Sequence, residues 1–173
     1  SDKYLGYISV SDTIKEDTAE GLKALKDIGV TDLVMLTGDN RETAEKVAEQ
    51  AGITEVHANL LPEDKVAIAE QILDKGRIAA FVGDGVNDAP VLARVDAGIA
   101  MGGLGSAAAM EAADVVIMDD NPKKISLAIR IGRKTVRLAK ENIWFALIIK
   151  LLVLVLGALG LVNMWAAVFA DVG

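Results

Sequence analysis

The hydrophobic pattern of the first part of the chain alternates between two rhythms. Short continuous apolar runs are separated by stretches in which apolar residues recur at helical spacing. Tyr4 to Val10 reads as a first strand, followed by Asp12. Asp17 or Thr18 is placed to cap a helix with Ala19, Leu22, Leu25 and Ile28 inward, and Gly29 stops it. Asp32 to Leu36 is a second strand, running into Thr37-Gly38-Asp39-Asn40. Asn40 can cap a helix carrying Ala44, Val47, Ala48 and Ala51 on one face and Gly52 at its end. Val56 to Ala58 is a short strand. Pro62 opens a helix with Val66, Ala69, Ile72 and Leu73 inward and Gly76 at its end. Ile78 to Val82 is apolar throughout and predicts a buried strand, with a helix from Asn87 to Arg94 after it. Ala97 to Met101 and Asp114 to Met118 are two more strands around an Ala-rich helix from about Ser106 to Ala113. Strands alternating with helices predict an α/β domain with a parallel sheet and helices on both faces.

The pattern changes after Pro122. Lys123 to Glu141 is helical and basic, with Lys123, Lys124, Arg130, Arg133, Lys134, Arg137 and Lys140. From Ile143 to Val162 the only charge is Lys150, and the run has roughly the twenty apolar residues that cross a bilayer. No linker separates the basic and apolar parts, so one helix is expected to leave the α/β domain and enter the membrane. The basic residues before the span mark that side as cytoplasmic. Asn163-Met164 is a turn, and Trp165 to Gly173 begins a span going back. The expected organisation is an α/β domain over 1–121, a stalk over 122–142, a span over 143–162 and the start of another at 165–173.

Composition narrows this. The net charge of −7 disfavours a nucleic-acid partner. Cysteine is absent, which excludes disulfides and thiolate metal sites within the chain. No secretory signal precedes the first strand, and the chain reads as the middle of a larger protein.

The chemistry gathers where strands end. Val82 to Pro90 places Asp84 and Asp88 around a turn containing Gly83 and Gly85, directly after an apolar strand. Carboxylates at the C-terminal end of a parallel strand stand where open α/β sheets put their sites. Two hard oxygen donors beside a phosphate-sized gap suit Mg²⁺. A turn with Asp and Asn as cap residues is the simpler alternative. Thr37-Gly38-Asp39 offers a hydroxyl and backbone amides just before a helix N-terminus, a natural phosphate cradle. Lys65 stands at a helix start, where the macrodipole gives a cation no reason to be. Either it pairs with a phosphate or it is a solvated surface lysine. Donor, cation and metal ligands are the parts that phosphoryl transfer needs. No nucleophile accompanies them, and the single histidine, His57, reads as structural.

Thr37-Gly38-Asp39, Pro62-Glu63-Asp64-Lys65 and Gly83-Asp84-Gly85-Val86-Asn87-Asp88-Ala89-Pro90, followed by a basic helix running into an apolar one, resemble the P-type ATPases. The resemblance implies a haloacid-dehalogenase-like fold, with ATP and Mg²⁺ as cofactors and an aspartyl-phosphate intermediate. Thr37, with Gly38 and Asp39, would hold the phosphoryl group and Lys65 would neutralise it. Asp84 would ligate Mg²⁺, and Asp88 would complete the metal and water network with Asn87. The family's Asp-Lys-Thr-Gly-Thr motif, its nucleotide domain and its actuator motif are not in this sequence, so the resemblance implies a C-terminal fragment whose partner is the N-terminal portion of the same pump. It also implies a missing strand between the one ending at Thr37 and the one ending at Val82, leaving a gap or a collapse there. Lys15 stands where relatives often carry Arg.

Asn142-Ile143-Trp144-Phe145, Lys150 within the span and the run Trp165 to Gly173 resemble the subgroup that exports zinc, cadmium and lead. By that resemblance Asp171 would bind the transported divalent ion and Lys150 would be its counter-ion. The pump would be a multi-pass protein of the cell membrane with its α/β domain cytoplasmic. A soluble haloacid-dehalogenase phosphatase, and a truncated membrane protein without catalysis, are the alternatives.

Overall fold

The computed structural model describes residues 14, 17–83, 86–102, 107–119 and 121–160. The element order is α1 (Asp17–Asp27), β1 (Val34–Leu36), α2 (Arg41–Ala51), β2 (Glu55–His57), α3 (Pro62–Asp74), β3 (Ala80–Gly83), a 3₁₀ turn (Val86–Asp88), α4 (Ala89–Leu92), β4 (Ala97–Met101), α5 (Ala107–Ala112), β5 (Val115–Ile117) and α6 (Lys123–Ala158). The chain forms two compact units, residues 1–126 and 127–173. The expected strand Tyr4 to Val10, Asp12 and Lys15 lie outside the described residues, as does everything from Leu161 onward.

The strand pairing among the described residues is parallel, as the alternating pattern requires. The described strands form two sheets, β1-β2 and β3-β4-β5. No pairing joins β1 to β3 among the described residues.

Local chemistry explains the helix boundaries. The Asn40 side chain accepts from the Thr43 N–H at 2.9 Å, satisfying one of the orphan donors at the start of α2. Gly52 closes that helix at φ 72°, where a side chain would be strained. Ala44, Ala48 and Ala51 are buried, so α2 turns inward the face that its periodicity marks. In α1 the buried residues are Gly21 and Leu25, and Ala19 is exposed, contrary to expectation. The reason is close approach. A Cβ on Gly21 would stand 2.9 Å from Pro122 Cβ, so this helix presents its glycine to the chain just before α6. The Lys123 ammonium completes that junction, 2.7 Å from Asp17 and 2.6 Å from Glu20. These hydrogen bonds push the Lys123 pKa up.

Two further expectations are corrected. Ile78 to Val82 is not a buried strand. The strand is Ala80–Gly83, Ile78 is 92% exposed and Val82 40%. Among the described residues it pairs with β4, and part of its apolar surface is exposed. The expected helix from Asn87 to Arg94 is a 3₁₀ turn followed by the single turn of α4. Val91 and Leu92 of that turn are nearly fully buried. Leu92 joins Ala100 and Ala109 in the core, with Phe81, Ala112, Ala113 and Val116 packed against them.

The basic and apolar parts of the C-terminal segment form one helix, α6, of 36 residues. It is long and apolar enough to cross a membrane, and its apolar stretch is not buried within the protein. Ile143, Trp144, Phe145, Ile148, Leu151 and Leu154 are all exposed. The helix ends at Ala158, short of the expected Val162. Gly160 at φ 70° follows the last turn, and residues 161 and 162 lie outside the described region.

Candidate active site at the strand tips

The site is built from the ends of β1 and β3 and the start of α3. After β1, the chain turns sharply at Thr37-Gly38-Asp39. The Thr37 hydroxyl donates to Asp39 Oδ2 at 2.8 Å, and the Asp39 N–H donates back to it at 3.1 Å. This small ring fixes the turn before Asn40 caps α2. The turn is bonded to the segment that leads into α3. Leu60 N–H donates to the Thr37 carbonyl at 3.0 Å, and Asn59 N–H to the Asp39 carbonyl at 2.8 Å. Asn59 makes this possible by adopting a left-handed backbone, φ 57°, which asparagine tolerates better than most residues. A Cβ on Gly38 would lie 3.3 Å from the Leu60 carbonyl.

Asp64 sets the entrance to α3. Its carboxylate accepts from Leu61 N–H at 2.9 Å, while Pro62 supplies a first helical residue that needs no N–H partner. One residue on, Lys65 projects from the first turn. Its ammonium donates to Asp88 Oδ1 at 2.7 Å, and the two side chains are only 16% and 13% exposed. The solvated-surface reading of Lys65 is therefore set aside. So is the cap reading of Asp88: it stands at the N-cap of α4 yet makes no side-chain cap bond.

Gly83 makes room for this arrangement. A Cβ there would come within 2.9 Å of Asp88 Cβ and Oδ2 and of Phe81 Cε1. The strand end is thus a cradle that admits a carboxylate only because the residue is glycine. Asn87 is exposed beside it. Asp84 and Gly85 lie outside the described residues, as does Asp171. Lys150 is on α6, exposed and within the apolar stretch. His57 makes a surface contact with Glu55 at 3.1 Å, in keeping with a structural reading.

Among the described residues no cluster of three or more acidic or histidine side chains surrounds a metal-sized space. Asp88 is the described donor. A carboxylate oxygen is the hard donor that Mg²⁺ takes, and Asp84 is the second carboxylate that the sequence brings to the same loop. Periodicity alone missed two contributors, Asp64 and Asn59. The first was readable, since Pro-Glu-Asp at a helix start is a capping signature. The second has no signal beyond the turn propensity of asparagine.

Comparison with known proteins identifies the family. Residues 1–96 match the family model of haloacid dehalogenase-like hydrolases. The chain is 53% identical to a cadmium, zinc and cobalt-transporting ATPase of Bacillus subtilis, over 99% of this chain and 25% of that protein. It is 54% identical to a zinc-transporting ATPase of a Synechocystis species, over 99% of this chain and 24% of the relative. A crystal structure of a zinc-transporting PIB-type ATPase superposes with a TM-score of 0.85 at 39% identity, covering 92% of this chain and 26% of that one. The chain thus spans about a quarter of the length of the relatives it matches. Its parallel strands, its site at their tips and the matched segment together show that the chain belongs to the haloacid dehalogenase-like hydrolase family.

Proposed function

We propose that the chain provides the phosphorylation domain and stalk of an ATP-driven exporter of divalent heavy metals such as Zn²⁺, Cd²⁺ or Pb²⁺, working through an aspartyl-phosphate. The observation that carries this is the presence, in one chain, of the Lys65–Asp88 pair at the strand tips and an uninterrupted helix fit to cross a bilayer. The similarity to metal-transporting ATPases over nearly the whole chain supports it. A soluble phosphatase has no use for α6, whose apolar surface would face water.

In this reading the Thr37 hydroxyl and the amides of its turn receive phosphoryl oxygens, and the Lys65 ammonium offsets their charge. Asp88 holds Lys65 in position until the phosphoryl group competes for it. Asp84 and Asp88 are the residues that would hold Mg²⁺, which supplies electrostatic stabilisation of the transferring group when bound. ATP and the acceptor aspartate come from parts of the pump that this chain does not contain. Asp171 takes the role of ligand for the transported ion and Lys150 that of its counter-ion. The domain faces the cytoplasm of a multi-pass protein in the cell membrane.

The test is made in the full-length protein. Asp84→Asn should abolish phosphoenzyme formation from ATP, and Asp171→Ala should remove Zn²⁺-stimulated hydrolysis while phosphorylation from inorganic phosphate persists. Full metal-stimulated turnover in the Asp171 variant would defeat the exporter reading.

A further inference from the structure

Between Arg130 and Lys140, α6 carries five cations, Arg130, Arg133, Lys134, Arg137 and Lys140. At about 100° per residue they fall within roughly one third of the helix circumference. Glu141, paired to Arg137 at 2.7 Å, is the acidic residue of α6 itself. The same face continues downward into Trp144 and Ile148. Side chains on this face leave a shallow, open groove between them, lined by Arg133, Arg137 and Lys140 above and by Trp144, Phe145 and Ile148 below. Cations at one end and rings and aliphatic carbon at the other complement a phospholipid: a phosphate headgroup and the upper part of an acyl chain.

Depth along the helix agrees. With the apolar stretch starting at Ile143, Lys140 stands about 4–5 Å above it, Arg137 about 9 Å and Arg133 about 15 Å. The headgroup layer is roughly 5–8 Å thick on each side. Long cationic side chains can therefore meet phosphates directly at Lys140 and Arg137, and Arg133 acts within a Debye length. Trp144 and Phe145 fall at the boundary that aromatic rings prefer.

We infer that this groove is a binding site for an anionic phospholipid of the cytoplasm-facing leaflet. The inference rests on the membrane reading of α6. The excess of cations over Glu141 selects an anionic over a zwitterionic headgroup, since each basic residue near such a surface contributes about 1 kcal/mol, or roughly fivefold.

The experiment uses the full-length protein with Trp144 as its sole tryptophan, reconstituted in phosphatidylcholine bilayers. Brominated phosphatidylglycerol or brominated phosphatidylcholine is added and Trp144 fluorescence followed. Brominated phosphatidylglycerol should associate at least about fivefold more strongly, and R133Q/R137Q/K140Q should bring the ratio close to one. Millimolar inorganic phosphate should leave the preference intact, which separates a lipid headgroup from a free anion. Phosphatidylglycerol retained through detergent exchange, parent against triple variant, reads the same preference without replacing any tryptophan. A ratio near one in the parent, or an unchanged ratio in the triple variant, overturns the proposal. Absence of quenching by either lipid also overturns it, because another protein segment then fills the groove. Resistance to carbonate extraction reports separately whether the protein is embedded, so failure of the lipid site is distinguishable from failure of the membrane reading.

Discussion

Gly98 sits on β4, the central strand of its sheet, directly under the end of α4. A Cβ added there would meet the Leu92 carbonyl oxygen and stand 3.0 Å from Leu92 C and 3.2 Å from Leu92 Cα. All three are backbone atoms, so no side chain can swing aside. Relief requires α4 to retreat by roughly 1 Å, given ordinary contact distances near 3.5 Å. The strand cannot yield instead. Gly98 N–H donates to Asp114 Oδ2 at 2.8 Å, and its carbonyl accepts from Asp114 N–H at 2.9 Å. Leu92 is 1% exposed, so moving it opens the core around Ala100 and Ala109. Overpacking of this kind costs about 1–3 kcal/mol, and a backbone clash belongs at the upper end. For a domain of this size that lowers Tm by roughly 10 °C. Because α4 begins beside Asp88, the same retreat draws the carboxylate away from Lys65, and a misplacement of about 1 Å can cost on the order of a hundredfold in rate. Thermal unfolding and phosphoenzyme formation by Gly98→Ala in the full-length protein measure both effects. Gly132→Ala is the control, since nothing lies within 4 Å of that added Cβ in α6. It should stabilise the helix by about 0.5–1 kcal/mol. A Gly98→Ala protein with parental Tm and phosphorylation would refute the packing argument.

Lys65→Gln should leave Asp88 mostly buried without its cation, costing about 2–3 kcal/mol, less than a fully buried pair because both side chains retain some exposure; phosphoenzyme level and Tm should fall together. Asn40→Ala removes the cap bond to Thr43 and should cost about 1 kcal/mol, read as a lower urea midpoint. Lys124 hydrogen-bonds Asp119 and holds its carboxyl below the usual aspartate range. The folded state thus binds that proton less readily, so this contribution is present above the ordinary aspartate pKa and is lost as pH falls through the lowered one. Asp119→Asn should flatten the acid limb of stability, and superimposable pH profiles would count against the pairing.

Helices were legible in the sequence because their signals are local. Asn40, Gly52, Pro62 and Gly76 each act within a few residues of a boundary, and the structure puts the ends of α2 and α3 beside them. The apolar run at Ile78 to Val82 was misleading because hydrophobicity reports a need for cover and does not supply it. The Lys123 junction with Asp17 and Glu20 joins residues about a hundred positions apart, and no periodicity encodes such a pairing. Lys65 and Asp88 were individually suspected, and their meeting is visible only once α3 is laid against α4. Asp84 was legible from its place in a glycine turn after an apolar run, whereas Asp171 carries a role assigned from motif resemblance alone.

The register of the two sheets bears on how the chain folds as it is made. Within each sheet the described strands pair with neighbours in sequence, Val34 with Glu55, Ala80 with Ala97 and Ile99 with Val115. Every loop to be closed is therefore roughly twenty residues long, a small entropic cost. Each sheet can form as soon as its last strand has been synthesised, without waiting for distant chain. The two halves are then tied by side chains of α3 and its flanks: Lys65 to Asp88, Glu70 to Arg94 at 2.6 Å, and Asp32 to Arg77 at 3.3 Å. The ion pair at the candidate site is also the most buried of these ties, so the contact that assembles the site is one of those that join the halves.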